Sequence, residues 1–220
     1  MSTDKRAVKR ERFTLLGSRR AAGAPLTVFP SLDEVPRFVL ILTKPYLVTT
    51  SVLRSSPLRK EALAIVRDGS LGEMITEILR VGARKNGVTV GFVGDLDPTD
   101  LQIFATYRRR ERRLRRTARA SVLDVRYLGI DDEWLAVCEN YMREPFVMDS
   151  IVMKMPRREY RALESVRMAL PLEETVGARS VALLSEGRKV ELEGASNPML
   201  YRRGFKEAIE AHLLSRLTAE

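Results

Sequence analysis

The sequence has few of the side chains on which many enzymes and secreted proteins depend. Its 220 residues include one cysteine, Cys138, and one histidine, His212. A single cysteine excludes an internal disulfide and favours a reducing, cytoplasmic location. A single histidine argues against serine–histidine catalysis and against metal sites built from several histidines. Any catalysis is therefore expected to depend on carboxylates.

Long apolar runs are also missing. No segment approaches the roughly 20 apolar residues that a membrane-spanning helix needs. The basic N-terminal stretch MSTDKRAVKRERF is not followed by the apolar core of a signal peptide. We therefore expect a cytoplasmic protein without a membrane partner.

Positive charge, in contrast, is abundant. The formal net charge is +9, and most of the basic residues are arginines. Arginine binds phosphate through paired N–H donors, so this composition favours a polyanionic partner such as DNA, including association with the nucleoid. The alternative is an arginine-rich composition that serves only solubility.

Composition changes along the chain predict three parts. Residues 1–35 are basic and rich in loop-forming glycine and proline, which is typical of an arm, with a short strand near its end. Residues 36–200 carry the strand and helix patterns of one α/β domain. Residues 201–220 are predicted to form a C-terminal helix packed on that domain.

Apolar strands alternate with helices in the central part. Strands are predicted at residues 38–42, 88–94 and 122–129, and helices at residues 70–87 and 99–116. This alternation predicts βαβ units, and therefore a Rossmann-like parallel sheet flanked by helices. The remainder, from residue 150 onwards, is predicted to be mainly helical.

The most informative stretch is VGFVGDLDPTDLQI, in which a strand runs into Asp95 and Asp97. Ligands of parallel sheets bind beyond the carboxyl ends of the strands. Residues i and i+2 of an extended chain point the same way, so both carboxylates could hold one Mg²⁺ ion. A structural role is the alternative, because Asp97 before Pro98 is a good helix N-cap and Asp100 would complete a capping box.

The segment GDLDPTDLQI resembles the D-x-D-P-x-G-x-x-I signature of Toprim domains. The similarity is to those of type IIB topoisomerase A subunits, meiotic double-strand-break proteins and plasmid-defence nuclease subunits. Three flanking pieces agree in order and spacing over residues 37–200: the glycine turn and helix before the strand, the segment VLDVRYLG, and the late segment LLSEGRKVELEGASN. The resemblance implies a Toprim-like fold and Mg²⁺-dependent phosphodiester cleavage or transfer. It makes Asp95 and Asp97 the catalytic metal ligands, with possible support from Lys189, Glu191 and Glu193.

The chain departs from that family at two functional points. Toprim domains carry a glutamate just after the first strand, where this sequence has Thr43 and Lys44. The topoisomerases also carry a tyrosine on a preceding winged-helix domain, where only the arm is found here. We therefore expect either an enzyme that needs a partner subunit, or a non-catalytic structural or dimerisation subunit of a DNA-processing complex, with a homodimer among the expected assemblies.

A rival motif is the nucleophile loop of haloacid-dehalogenase phosphatases, D-x-D-G-T, which DLDPTD also resembles. In that interpretation Asp95 would be phosphorylated and Asp97 would act as acid and base. The acidic pair of the family would be Asp131 and Asp132. Such a phosphatase would act on a small phosphate ester without DNA.

An arginine cluster directly follows the aspartates. Residues 108–119 contain eight arginines and one glutamate, a local charge of +7. Like charges three and four residues apart repel on a helix, and a polyanion beside them relieves the repulsion. The alternative is a solvated or protein-facing helix. The candidate DNA-binding residues are Arg108, Arg109, Arg110, Arg112, Arg113, Arg115, Arg116 and Arg119.

Other distinctive side chains favour the core. Trp134 and Cys138 fall on the apolar face of a predicted helix, and Cys138 is expected to be a small buried residue without reactivity. Met148, Met153 and Met155 are likewise predicted to be core residues.

Overall fold

The computed structural model describes residues 26–28, 38–43, 62–66, 89–117, 124–141, 151–192, 211–213 and 215–216. Within these ranges the strands are β1 (Leu26–Val28), β2 (Phe38–Leu42), β3 (Ala62–Val66), β4 (Thr89–Val93), β5 (Asp124–Tyr127), β6 (Val152–Lys154) and β7 (Arg188–Val190). The helices are α1 (Pro98–Thr117), α2 (Asp132–Tyr141), α3 (Arg157–Ala169), α4 (Leu172–Val176) and α5 (Ala178–Ser185). Residues 211–213 and 215–216 are also helical.

The main sheet has five strands in the order β1-β3-β2-β4-β5. Strands β3, β2, β4 and β5 run parallel to one another, and β1 is antiparallel to β3. From β2 the chain first adds β3 on one side and then β4 on the other. The order of strands therefore reverses between β2 and β4, which is the place where open α/β sheets bind ligands.

The predicted mixed α/β fold with parallel strands is confirmed. The apolar runs of β2, β4 and β5 form the strands predicted from them, and the predicted helix after Asp97 is α1. Strand β1 lies within the range predicted as an arm, yet it extends the sheet through β3. The predicted helix at residues 70–87 lies outside the described residues.

Aromatic packing fixes α1 against the sheet. The ring of Phe104 on α1 lies 5.5 Å from Phe92 of β4 and 5.2 Å from Tyr127 of β5, measured between ring centroids. Phe92 is fully buried, and Phe104 and Tyr127 are nearly so. Burial of each such side chain stabilises the fold by about 1.5–3 kcal/mol. The helix that carries the arginines is therefore anchored by its opposite, aromatic face.

A second, two-stranded sheet lies beside the end of β4. Strands β6 and β7 pair antiparallel. One isolated antiparallel bridge joins Leu96 to Val190 through two backbone hydrogen bonds of 3.0 and 3.2 Å. Since Leu96 stands between the two aspartates, this bridge brings the chain around β7 directly to them.

The core predictions are confirmed in part. Trp134 and Cys138 are buried, and burial is the main cause that raises the pKa of the Cys138 thiol above its ordinary range. Met155 is buried, but the prediction for Met153 is wrong because its side chain is 46% exposed on β6. Met153 and its neighbour Lys154 are both exposed, so the short two-stranded sheet leaves this part of β6 in solvent. Met148 lies outside the described residues.

Among the described residues, no helix combines the length and the apolar character needed to cross a membrane.

Candidate functional site

The aspartates lie at the carboxyl ends of β2 and β4, where the strand order reverses. Asp95 and Asp97 follow β4, and Thr43 follows β2. All three side chains are buried, Asp95 completely. The predicted position of Asp95 and Asp97 relative to the sheet is therefore confirmed, whereas their predicted role in metal binding and catalysis stays a prediction.

Asp95 is tied to the segment that follows β7. Its Oδ1 accepts a hydrogen bond of 2.8 Å from the backbone N–H of Leu192. Its own carbonyl oxygen accepts a bond of 3.0 Å from the hydroxyl of Tyr127. Burial, and then the nearby charge of Asp100, raise the pKa of Tyr127 well above its ordinary value, so this hydroxyl keeps its proton as a donor. Asp95 thus joins β4, β5 and the end of β7.

Asp97 is the N-cap of α1, as the structural alternative predicted. Its Oδ1 accepts a bond of 2.8 Å from the backbone N–H of Asp100, and Pro98 occupies the first helical position. The structure gives Asp100 a partner that the predicted capping box did not include. Its Oδ2 accepts the backbone N–H of Asp95 at 2.7 Å. The helix N-terminus therefore also anchors the end of β4.

Asp100 combines a strongly raised pKa with contacts at the ends of two strands. Its Oδ2 accepts a second bond of 2.7 Å, from the hydroxyl of Thr43 across the sheet. Burial, the charge of Asp97 and the charge of Asp95, in that order, raise the pKa of Asp100 to about 7, although its two hydrogen bonds act in the opposite direction. Thr43, which stands where the Toprim resemblance places a glutamate, thus acts here as a hydrogen-bond donor. Lys44 lies outside the described residues.

A lysine supplies the positive charge at this end of the sheet. The Lys189 ammonium lies 3.2 Å from a carboxylate oxygen of Glu191 and 3.4 Å from one of Glu159. Burial by itself lowers the pKa of Lys189. The hydrogen bond to Glu191 and the surrounding negative charges, that of Asp97 included, outweigh burial and raise the pKa above its ordinary value. Lys189 and Glu191, predicted as supporting residues, are therefore beside the aspartates, and Glu193 lies outside the described residues.

This donor set does not fit a preformed Mg²⁺ site. One oxygen each of Asp95 and Asp97 accepts a backbone N–H, and Oδ2 of Asp100 accepts two hydrogen bonds. Mg²⁺ requires oxygen ligands in near-octahedral geometry, and the nearby Lys189 ammonium would repel it. Among the described residues, no group of three or more His, Cys, Asp or Glu side chains is arranged to hold a metal ion.

The arginine helix presents one continuous basic surface. Arg109, Arg112, Arg113 and Arg116 are exposed, and their spacing of three and four residues places them on one side of α1. We call these four residues the arginine face. Arg108 and Arg110 flank it and are half-buried. The side chain of Arg115 is not among those described, and Arg119 lies outside the described residues.

One acidic residue fixes the edge of this surface. Glu111 is almost fully buried, and its carboxylate binds Arg108 at 2.9 Å. Arg108 also donates to the carbonyl oxygen of Val125 at 3.1 Å. Arg108 therefore contributes to the packing of α1 on β5, whereas the exposed arginines have solvent on their outer side.

The acidic pair of the phosphatase interpretation, Asp131 and Asp132, forms hydrogen bonds and an ion pair with structural partners. Asp131 caps α2 by accepting the N–H of Trp134 at 2.9 Å, and it forms an ion pair with Arg216. Asp132 accepts bonds from the N–H groups of Arg179 and Ser180 at the start of α5. Both carboxylates therefore hold structural elements together.

Sequence reasoning did not identify Glu159, Tyr127 or the role of Thr43 at this site. Glu159 lies on α3, and its Oε2 is buried without a hydrogen-bond partner among the described residues. The local sequence around a glutamate on an amphipathic helix does not indicate that its carboxylate will be buried at a site. Tyr127 could have been suspected, because a tyrosine at the end of a buried strand needs a partner for its hydroxyl.

Comparison with known proteins does not add a family to these observations. A scan against protein-family models finds no match to the chain, and a search of curated proteins finds no similar sequence.

Proposed function

We propose that this chain is a DNA-associated, Toprim-like subunit of a DNA-processing complex, in which the arginine face contacts the phosphate backbone. The observation that carries the proposal is the arrangement of Arg109, Arg112, Arg113 and Arg116 on one exposed side of a helix whose other side is anchored in the core. A row of guanidinium groups on an anchored helix suits successive phosphates, and such contacts fix the position of a protein on DNA without reading its sequence.

The same proposal gives the aspartates a structural role. The carboxylates of Asp95, Asp97 and Asp100 accept backbone N–H groups that join β4, α1 and the end of β7. Lys189 supplies the compensating positive charge. Of the two interpretations that the sequence left open, this geometry favours the non-catalytic subunit.

The alternative is Mg²⁺-dependent phosphodiester cleavage or transfer with a partner subunit. It is supported by the bridge between Leu96 and Val190, which brings Lys189 and Glu191 to the aspartates as the Toprim resemblance implies. It requires Asp95 and Asp97 to bind the metal while Oδ1 of each accepts a backbone N–H. The phosphatase interpretation is less well supported, because a fully buried Asp95 cannot attack a substrate without movement of the segment after β7.

Neutralising three residues of the arginine face is expected to weaken binding of duplex DNA about 500-fold in 0.1 M salt relative to 1 M salt, since each phosphate contact contributes roughly 0.9 to the slope of log affinity against log salt. The variant is Arg109→Gln/Arg112→Gln/Arg116→Gln, measured by fluorescence anisotropy over a salt series. The slope should fall by about 2.7.

The matched control is Arg167→Gln/Arg179→Gln/Arg188→Gln. Arg167 and Arg179 are exposed and Arg188 is half-buried, and they pair with Glu164, Glu139 and Glu186, respectively. Both variants lower the net charge from +9 to +6, because each neutralises three arginines. Exposed ion pairs contribute little to stability, so both proteins should fold. Equal losses of affinity in the two variants would show a non-specific charge effect and contradict the proposal.

A further inference from the structure

An open groove of about 640 Å³ runs along the outer side of β5. Helix α1 and the turn before α4 form its walls, together with Ser215 and Arg216 of the C-terminal segment. Its volume falls in the range of roughly 300–1,000 Å³ that is usual for small-molecule sites. Neither the aspartate cluster nor the Toprim resemblance involves this groove.

Four arginines line the groove: Arg108, Arg112, Arg126 and Arg216. Backbone carbonyl groups hold three of them in place. Arg108 donates to Val125 at 3.1 Å, Arg216 donates to Tyr127 at 3.0 Å, and Arg126 donates to the carbonyl of Arg216 at 3.3 Å. Each of these bonds orients a guanidinium group and uses one of its five N–H donors. The fourth, Arg112, extends into the groove from the arginine face.

The remaining lining is apolar or carries hydroxyl groups. Phe104, Leu128 and Leu170 supply apolar surface, and Thr175 and Ser215 supply hydroxyls. Two carboxylates, Glu133 and Glu174, also border the groove, and Glu111 and Asp131 form ion pairs with Arg108 and Arg216. Arg112 forms no ion pair among the described residues, so its guanidinium suits this groove to an anion that carries a sizeable organic part.

We propose that the groove binds a phosphate monoester whose organic part has the size of a nucleoside. Several fixed guanidinium groups favour phosphate, whose oxygens accept paired N–H donors from more than one side. The volume is far larger than inorganic phosphate needs, and the apolar wall gives the organic part a surface. The ligand is either a free nucleotide or the 5′-phosphorylated end of a DNA strand, which share this chemistry. Binding here does not depend on the function proposed for the arginine face.

The experiment compares thymidine 5′-monophosphate with thymidine by isothermal titration calorimetry on the full chain. We expect the phosphate to strengthen binding by at least about tenfold. Arg126→Gln removes a lining charge outside the arginine face, and Ser215→Trp adds a large side chain to the lining without changing charge. Each should weaken binding of the monophosphate about tenfold, whereas Arg167→Gln should not. Thermal unfolding of each variant verifies that it is folded.

Competition experiments with DNA duplexes then distinguish a free nucleotide from a phosphorylated DNA end as the ligand. Displacement of the monophosphate by a duplex with 5′-phosphates, but not by the same duplex with 5′-hydroxyls, identifies a DNA end. Displacement by neither duplex identifies a free nucleotide. Equal binding of thymidine and its monophosphate, or wild-type affinity in the folded Arg126→Gln and Ser215→Trp variants, would overturn the proposal. Monophosphate binding by a wild-type chain that fails to bind duplex DNA would reject only the DNA-associated function.

Discussion

Replacement of Lys189 by methionine is expected to lower the free energy of unfolding by about 3 kcal/mol, because it leaves buried negative charge without its partner. The ammonium lies within 3.4 Å of Glu159 and 3.2 Å of Glu191, and its side chain is only 10% exposed. Methionine keeps most of the side-chain volume, so the lower free energy of unfolding reflects the missing charge and not a change in packing. Urea denaturation at neutral pH measures it.

Two further variants make this result specific. Lys154→Met changes the same residue type at an exposed position on β6 and should alter stability by no more than about 0.5 kcal/mol. The double variant Lys189→Met/Glu159→Gln removes one of the orphaned charges and should recover part of the loss. If Lys189→Met is as stable as the wild type, Lys189 does not compensate the acidic cluster, and a bound cation becomes the better explanation of how these carboxylates coexist.

Replacement of Asp100 by asparagine is expected to abolish a pH dependence of stability. The pKa of Asp100 is about 7 in the folded protein and 3.8 ordinarily, so between these values the folded state holds a proton that the unfolded state has lost. Stability from this group is therefore fully present below pH 3.8 and is lost as pH rises towards 7. A shift of about three units corresponds to a change on the order of 4 kcal/mol.

The asparagine variant keeps an oxygen that can accept from Thr43 and from the N–H of Asp95, but it has no charge at any pH. At pH 8 it should be more stable than the wild type by about 2 kcal/mol, and the difference should disappear or reverse near pH 4. Thermal and urea unfolding of both proteins across this pH range provide the comparison. A wild-type protein whose advantage over the variant grows with pH would show that the ionised carboxylate stabilises the fold.

Local sequence patterns predicted the elements that local chemistry determines. The continuous apolar runs of β2 and β4 can be satisfied only in strands buried on both faces, and both strands formed where predicted. Asp97 followed by Pro98 predicted the start of α1 because capping involves only neighbouring residues. The position of the aspartates at the carboxyl end of a parallel sheet followed from the same strands.

Contacts between distant segments could not be predicted in this way. The bond from Thr43 to Asp100 depends on the register of β2 against β4, which no short motif specifies. Lys189 reaches the aspartates through the single bridge of Leu96 to Val190, and Glu159 approaches from α3. These long-range contacts decide whether the carboxylates are available to a metal ion, so the sequence alone left both the structural and the catalytic roles open.

The most direct test of the proposed function is the DNA affinity of Asp95→Asn/Asp97→Asn relative to the wild type, with and without Mg²⁺ at constant ionic strength. Asparagine keeps the acceptors for the N–H groups of Leu192 and Asp100, so the variant should fold. We expect both proteins to bind duplex DNA with affinities within about twofold of each other and with the same steep salt dependence, indifferent to Mg²⁺. Wild-type binding that requires Mg²⁺ and is lost in the variant would instead place a metal at the aspartates and contradict their structural role.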